Sequence, residues 1–127
     1  MEYRPMGRIP ASVGPMVRAY LECAEWSGLE GTQAEALELA VSPAWDDAAI
    51  RQATEDCSAF LADHADAIGG ELVRAGHDLW LTRNRHGAGF WDGDWPKEVG
   101  RVLTDAAHVY GEAHVWFDED SERLSLS

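Results

Sequence analysis

The chain is expected to fold as an α+β domain, with N-terminal helices packed on a small antiparallel sheet in the order hairpin, helix, hairpin. Three observations predict this. Apolar residues recur at helical spacing through the first half. After Gly70 the pattern switches to an alternation of period two. Clusters of Gly, Asn and Asp then separate the alternating stretches at hairpin distance. Hairpin connections imply antiparallel pairing, and short strands must bury one face against helices. At 127 residues the chain suits a single hydrophobic core, and 46% apolar residues is a globular composition. The expected organisation is a flexible arm over residues 1–10 and one domain over residues 11–127.

Pro5, Gly7 and Pro10 punctuate the arm, which has no periodicity. Val13, Met16, Val17, Tyr20, Leu21 and Ala24 form one helical stripe; Pro15 falls in the first turn, where a missing N–H is tolerated. Gly28 or Gly31 ends that helix. A short helix is expected over Thr32–Ala40, with Thr32 and Glu35 at capping-box spacing, before Ser42-Pro43 breaks it. Asp46 or Asp47 can cap a long third helix, with Trp45 placed to pack on Ile50. Its stripe is Ile50, Ala53, Cys57, Phe60, Leu61, His64 and Ile68, and Gly69-Gly70 stops it. His77–Thr82 alternates and predicts a strand; Asn84–Gly89 has turn composition, and Phe90-Trp91 resumes the second strand. Asp94 and Pro96 open another helix, with Val99, Val102, Leu103, Ala106 and Tyr110 inward and Gly111 at its end. Ala113–Phe117, a turn over 118–122, and Leu124 with Leu126 complete a final hairpin.

Charge is uneven. The chain has 23 acids and 10 bases, a net charge of −13. Up to Leu21 it is slightly basic, whereas Glu22–Glu71 holds twelve acids and only Arg51. Such a field repels phosphate backbones, which speaks against direct nucleic-acid binding, and favours a basic partner. The same composition also serves plain solubility. No apolar run spans a membrane, and the opening residues lack the apolar core of a secretory signal. Cys23 and Cys57 therefore read as reduced core thiols of a cytoplasmic protein.

Functional residue types converge in one stretch, Gly76–Trp95. A metal site would need His77, Asp78, His86, Asp92 and Asp94 to gather, yet a strand sends His77 and Asp78 to opposite faces, and no zinc-type spacing occurs. Acid–base chemistry could use His77 or His86 oriented by Asp78 or Asp92, but no activated nucleophile and no phosphate loop accompany them. Neither a cofactor nor a catalytic set is assigned. His64 reads as a core histidine on its apolar stripe, and His108 and His114 have no partners in sequence. The stretch fits recognition better. Trp80, Trp91 and Trp95 offer an aromatic platform, and Arg83, Arg85 and His86 a polar tip; Trp and Arg are the commonest interface anchors. The structural alternative makes Trp80 and Trp91 cross-strand core partners. On the third helix, Glu55, Asp56, Asp63 and Asp66 form an acidic face that could imitate the phosphates of a duplex, or could simply be solvated.

The run GHDLWLTRNRHGAGFWDGDWP, followed by a helix and by YGEAHVWFDED, resembles an uncharacterised family of small phage, prophage and plasmid proteins, which often carry Phe in place of Leu79. The VRAYLECAEWSG and EDCSAFLADHAD segments are similar too, so the resemblance covers most of the chain from Val17 onward. It implies an accessory protein of a mobile element, a setting in which small acidic proteins often inhibit host restriction or CRISPR machinery.

The combined reading is a non-enzymatic acidic protein that binds a basic, nucleic-acid-handling host protein, such as a nuclease or a restriction or CRISPR component, with no membrane partner. The acids would steer encounter while Trp80, Arg83, Arg85, His86, Trp91 and Trp95 give specificity. Two alternatives stay open. One is a small metal-binding or hydrolase-type domain centred on His77–Asp92. The other is a self-associating module, a homodimer with the tryptophan hairpin in its symmetric interface.

Overall fold

The structure, a computed structural model, describes residues 7–127. It contains five helices, α1 (Pro15–Gly28), α2 (Thr32–Leu39), α3 (Asp47–Ile68), α4 (Leu72–Arg83) and α5 (Lys97–Val109), and three strands, β1 (Ala44–Trp45), β2 (Val115–Asp118) and β3 (Arg123–Leu126). The class is α+β, with helices and a small sheet around one core.

Local chemistry sets most boundaries. Pro15 occupies the first turn of α1, where an N–H has no helical partner to lose. Asp46 caps α3: its Oδ1 accepts the Ala49 N–H at 2.7 Å, satisfying one of the orphan donors of a helix start. Gly69 turns out of α3 in the left-handed region with φ 61°, its N–H still donating to the Ala65 carbonyl. The expected Thr32–Glu35 capping box does not form. Thr32 is already helical, Gly31 precedes it, and no side chain caps α2.

The sheet is mixed, with strand order β1-β3-β2. β2 and β3 make the predicted C-terminal hairpin, with Phe117 opposite Leu124. β1 runs parallel to β3, pairing Trp45 with Leu124. It is only two residues long, too short to show a period. The outer edge of β2 is closed by a side chain. The Gln33 amide donates to the Phe117 carbonyl and accepts the Phe117 N–H, which are the two bonds a further strand would make.

The first six residues of the expected arm lie outside the described residues. Its last four are tied down. The Gly7 N–H donates to Glu25 Oε1 at 2.8 Å, and Arg8 bridges in parallel to Ala44.

The first predicted hairpin is not there. His77–Thr82 belongs to α4, and Asn84–Pro96 is a loop between α4 and α5. The reason is burial on several sides. Ala75, Gly76, Leu79, Trp80 and Arg83 are buried, but so are Asp78 and Thr82, so no clean polar stripe marks the helical period. Leu79 and Leu81 then imitate a strand. α4 packs chiefly on α1, against α5, and also on α3. Gly76 permits the close approach: a Cβ there would overlap the Met16 carbonyl oxygen of α1. On α5, Val102 is exposed rather than inward, and Gly100, Leu103 and Ala107 form the buried face.

Cys23 and Cys57 are buried free thiols. Burial pushes Cys23 up to about 11 and Cys57 up to about 12, so neither is a thiolate nucleophile at neutral pH. Among the described residues, no helix is long and apolar enough to cross a membrane.

Candidate functional site

The 84–96 loop is anchored by two aromatic rings that point inward. Phe90 stacks on Phe60 of α3 at 5.6 Å between centroids and meets Trp95 edge-on at 5.5 Å. The Phe90 N–H donates to Thr82 Oγ1 at 3.1 Å. Trp95 Nε1 donates to Asp78 Oδ2 at 2.6 Å, which satisfies the buried indole as buried tryptophans require. Arg74 lies over the Trp95 ring at 5.9 Å, and its guanidinium donates to the Asp94 carbonyl. Trp91 goes the other way and stays 55% exposed.

Four of the residues assigned to partner contact are therefore structural. Trp80 and Trp95 are buried, with Trp80 set edge-on to Tyr20 at 5.4 Å and its Nε1 donating to Ser27 Oγ. Arg83 is buried as well. Its Nη1 donates to Asp56 Oδ2 and to the Tyr20 hydroxyl, both at 2.8 Å. Its Nε and Nη2 donate to the carbonyls of Gly111 and Tyr110. One side chain thus ties α1, α3 and α4 to the end of α5. Asp56 is consumed by the same pair and leaves the acidic face.

The other assigned residues divide by location. Glu55, Asp63 and Asp66 are exposed on α3, and Trp91 and Arg85 are exposed on the loop. Half-buried His86 lines a different, polar depression with Trp80, Glu30, Glu112 and His114. His77, Asp92 and Asp94 all come near enough to Asp78 to influence its charge, but His86 does not join them. Among the described residues no group of three or more His, Cys, Asp or Glu side chains is arranged to hold a metal ion. Asp78 is held above the usual carboxylate range by burial first, with Asp92 and Asp94 adding to the rise; the Trp95 hydrogen bond and His77 oppose it. A carboxyl that keeps its proton more readily could serve as an acid, yet its Oδ2 is committed to an indole, and the Cys23 thiol near enough to feel its charge is held protonated by burial.

The outward side of the loop forms a groove of about 550 Å³ against α5. Phe90, Trp91 and Trp95 give it an aromatic wall, while Lys97, Arg101, Thr104 and Asp105 face it from the helix. Sequence reasoning missed the α5 side. Its signal was available, since positions 97, 101, 104 and 105 recur at helical spacing on the polar side of a helix whose apolar stripe had been recognised. Comparison with family models, curated proteins and solved structures finds no match to this chain.

Proposed function

We propose that the protein is a binding module, an acidic accessory factor of a phage or other mobile element that docks on a basic surface of a nucleic-acid-handling host protein. The observation that carries this reading is the solvent face of α3. Glu55, Asp63 and Asp66 are exposed there and take part in no ion pair among the described residues. The face also holds Arg51 as its one cation. α3 kinks at His64, where φ is −132° and ψ 24°, and from Glu55 to Asp66 it spans about 16 Å at 1.5 Å per residue. It offers carboxylates over about half a turn of duplex, and hence a counterpart to part of a phosphate-binding groove. Trp91 and Arg85 remain the candidates for specific contact. A nuclease, restriction or CRISPR component as partner rests on the sequence resemblance alone.

The test is capture from a host lysate with the full chain, alongside the variant Glu55→Lys/Asp63→Lys/Asp66→Lys. The expected partner is retained by the native chain, released by added duplex DNA and lost to the triple variant. Equal retention by the variant would refute docking through α3.

A further inference from the structure

The groove beside Trp91 is not explained by the acidic face of α3, with which it shares no residue. Its volume of about 550 Å³ falls within the range of small-molecule sites, about 300–1,000 Å³. Phe90 and Trp95 line it from buried positions, and Trp91 lines it as the ring left open to solvent. Two glycines line it as well and put no side chain into it. Gly93 has φ 108°, which an L side chain rarely adopts, and a Cβ on Gly100 would overlap the Phe90 carbonyl oxygen. The fold keeps both positions bare, and space remains beside the indole for a ring to lie against it. Three charged residues line the groove, all on α5: Lys97, Arg101 and Asp105. Arg101 is engaged by Glu98 at 3.0 Å. Lys97 makes no ion pair among the described residues. Asp105 stands two turns further along the helix, about 12 Å from Lys97 at 1.5 Å per residue.

We propose that this groove binds a planar aromatic monocarboxylate, with its ring stacked on Trp91 and its carboxylate paired with Lys97. An indole face attracts a flat π-system in offset stacking, and Lys97 supplies the cation that has no partner within the fold. The lining charges argue against other occupants. A neutral ring would cover the Lys97 ammonium and bring it no counter-charge, which costs free energy. A cationic ligand would meet Lys97 and Arg101. A second carboxylate at the far end would meet Asp105, so a single negative charge fits, and it lies at the Lys97 end. A nucleic acid or other polyanion is repelled by the net charge of −13, whereas a small monoanion feels chiefly the cation beside it. The site is separate from the α3 face and stands or falls without it.

Isothermal titration calorimetry of the full chain with naphthoate tests this, with uncharged naphthamide and non-aromatic cyclohexanecarboxylate as the matched probes. Naphthoate is expected to bind one per chain, with a Kd between about 1 μM and 1 mM, and more tightly than either of the others. Trp91→Ala should raise its Kd about tenfold, as loss of a stacking ring does. Lys97→Gln should bring naphthoate down to the affinity of naphthamide and leave naphthamide itself unchanged, a split that a merely structural role for Lys97 would not produce. Trp91 and Lys97 are both exposed, and circular dichroism of each variant checks that the fold is kept. No heat of binding up to about 1 mM overturns the proposal. So does equal affinity of the native chain for naphthoate and naphthamide, which would make the groove a site for neutral rings, and so does binding indifferent to Trp91→Ala. The α3 triple-lysine variant should keep the preference for naphthoate over naphthamide, which separates this outcome from that of the proposed function.

Discussion

Every nitrogen of the Arg83 guanidinium donates inside the protein, to Asp56, Tyr20 and two backbone carbonyls at the end of α5. Replacing it with Met keeps the apolar stem but strands a carboxylate, a phenol and two carbonyls. Breaking a largely buried pair from one side costs about 3 kcal/mol, so Arg83→Met should lower the stability measured by urea unfolding by that order. A surface contact residue would lose no more than about 0.5 kcal/mol. Asp78 makes the opposite kind of prediction. Its pKa is raised in the folded state, by burial above all. Its contribution is therefore complete below the unfolded aspartate value of about 3.9 and is lost as pH rises through the folded one. Asp78→Asn has the same shape, can still accept from Trp95 Nε1, and has no charge to bury. Thermal melts should show the variant gaining on the native chain as pH climbs toward neutrality, with no such gain under acid conditions. A variant that lost stability at neutral pH would mean that the Trp95 bond needs the charged carboxylate.

Helix α4 is decided by what surrounds it. In an isolated helix Gly76→Ala stabilises by about 1 kcal/mol through backbone entropy. In this fold the new Cβ would meet the backbone of α1 at Met16, and backbone cannot swing aside as a side-chain tip can. Overpacking of this kind costs about 1–3 kcal/mol, so the packing effect should win and Gly76→Ala should lower the urea midpoint. A raised midpoint would mean that α1 and α4 are not in backbone contact. The same helix shows where the sequence stops being informative. Asp46, Gly69 and Pro15 act on neighbours within four residues, and the elements they bound were readable. The C-terminal hairpin was readable for the same reason, its turn being local. α4 was not, because its period is carried by burial against α1, α3 and α5, which no window along the chain contains. β1 owes its existence to β3, nearly eighty residues away, and the β2 edge to Gln33, 84 positions from Phe117. Within the candidate site, three tryptophans look alike in sequence. Only the bonds from Trp80 to Ser27 and from Trp95 to Asp78, formed across the fold, leave Trp91 as the outward one.

At the scale of the whole molecule the dominant quantity is charge. With 23 acids and 10 bases, and two salt bridges among the described residues, most carboxylates face one another through solvent rather than through a cation. That self-repulsion opposes the compact state. Salt should relieve it. The Debye length falls from about 30 Å at 0.01 M to about 8 Å at 0.15 M, a span that crosses the distances between separate acidic patches on a protein of this size. Two ion pairs bear on this. The exposed Arg101–Glu98 pair is weakened by salt but contributes at most about 1 kcal/mol. Arg83–Asp56 lies largely out of solvent, with side chains 7% and 18% exposed, and is screened much less. Repulsion among many groups outweighs one surface pair, so Tm should rise as sodium chloride increases from 0.01 to about 0.15 M. Binding to a basic partner should weaken over the same range, because the carboxylates that destabilise the free protein are those that attract the partner. Scanning calorimetry and a binding titration on one salt series would read both slopes. Opposite signs are expected; a Tm that fell with salt would show the acids compensated within the fold and leave little unbalanced charge for docking.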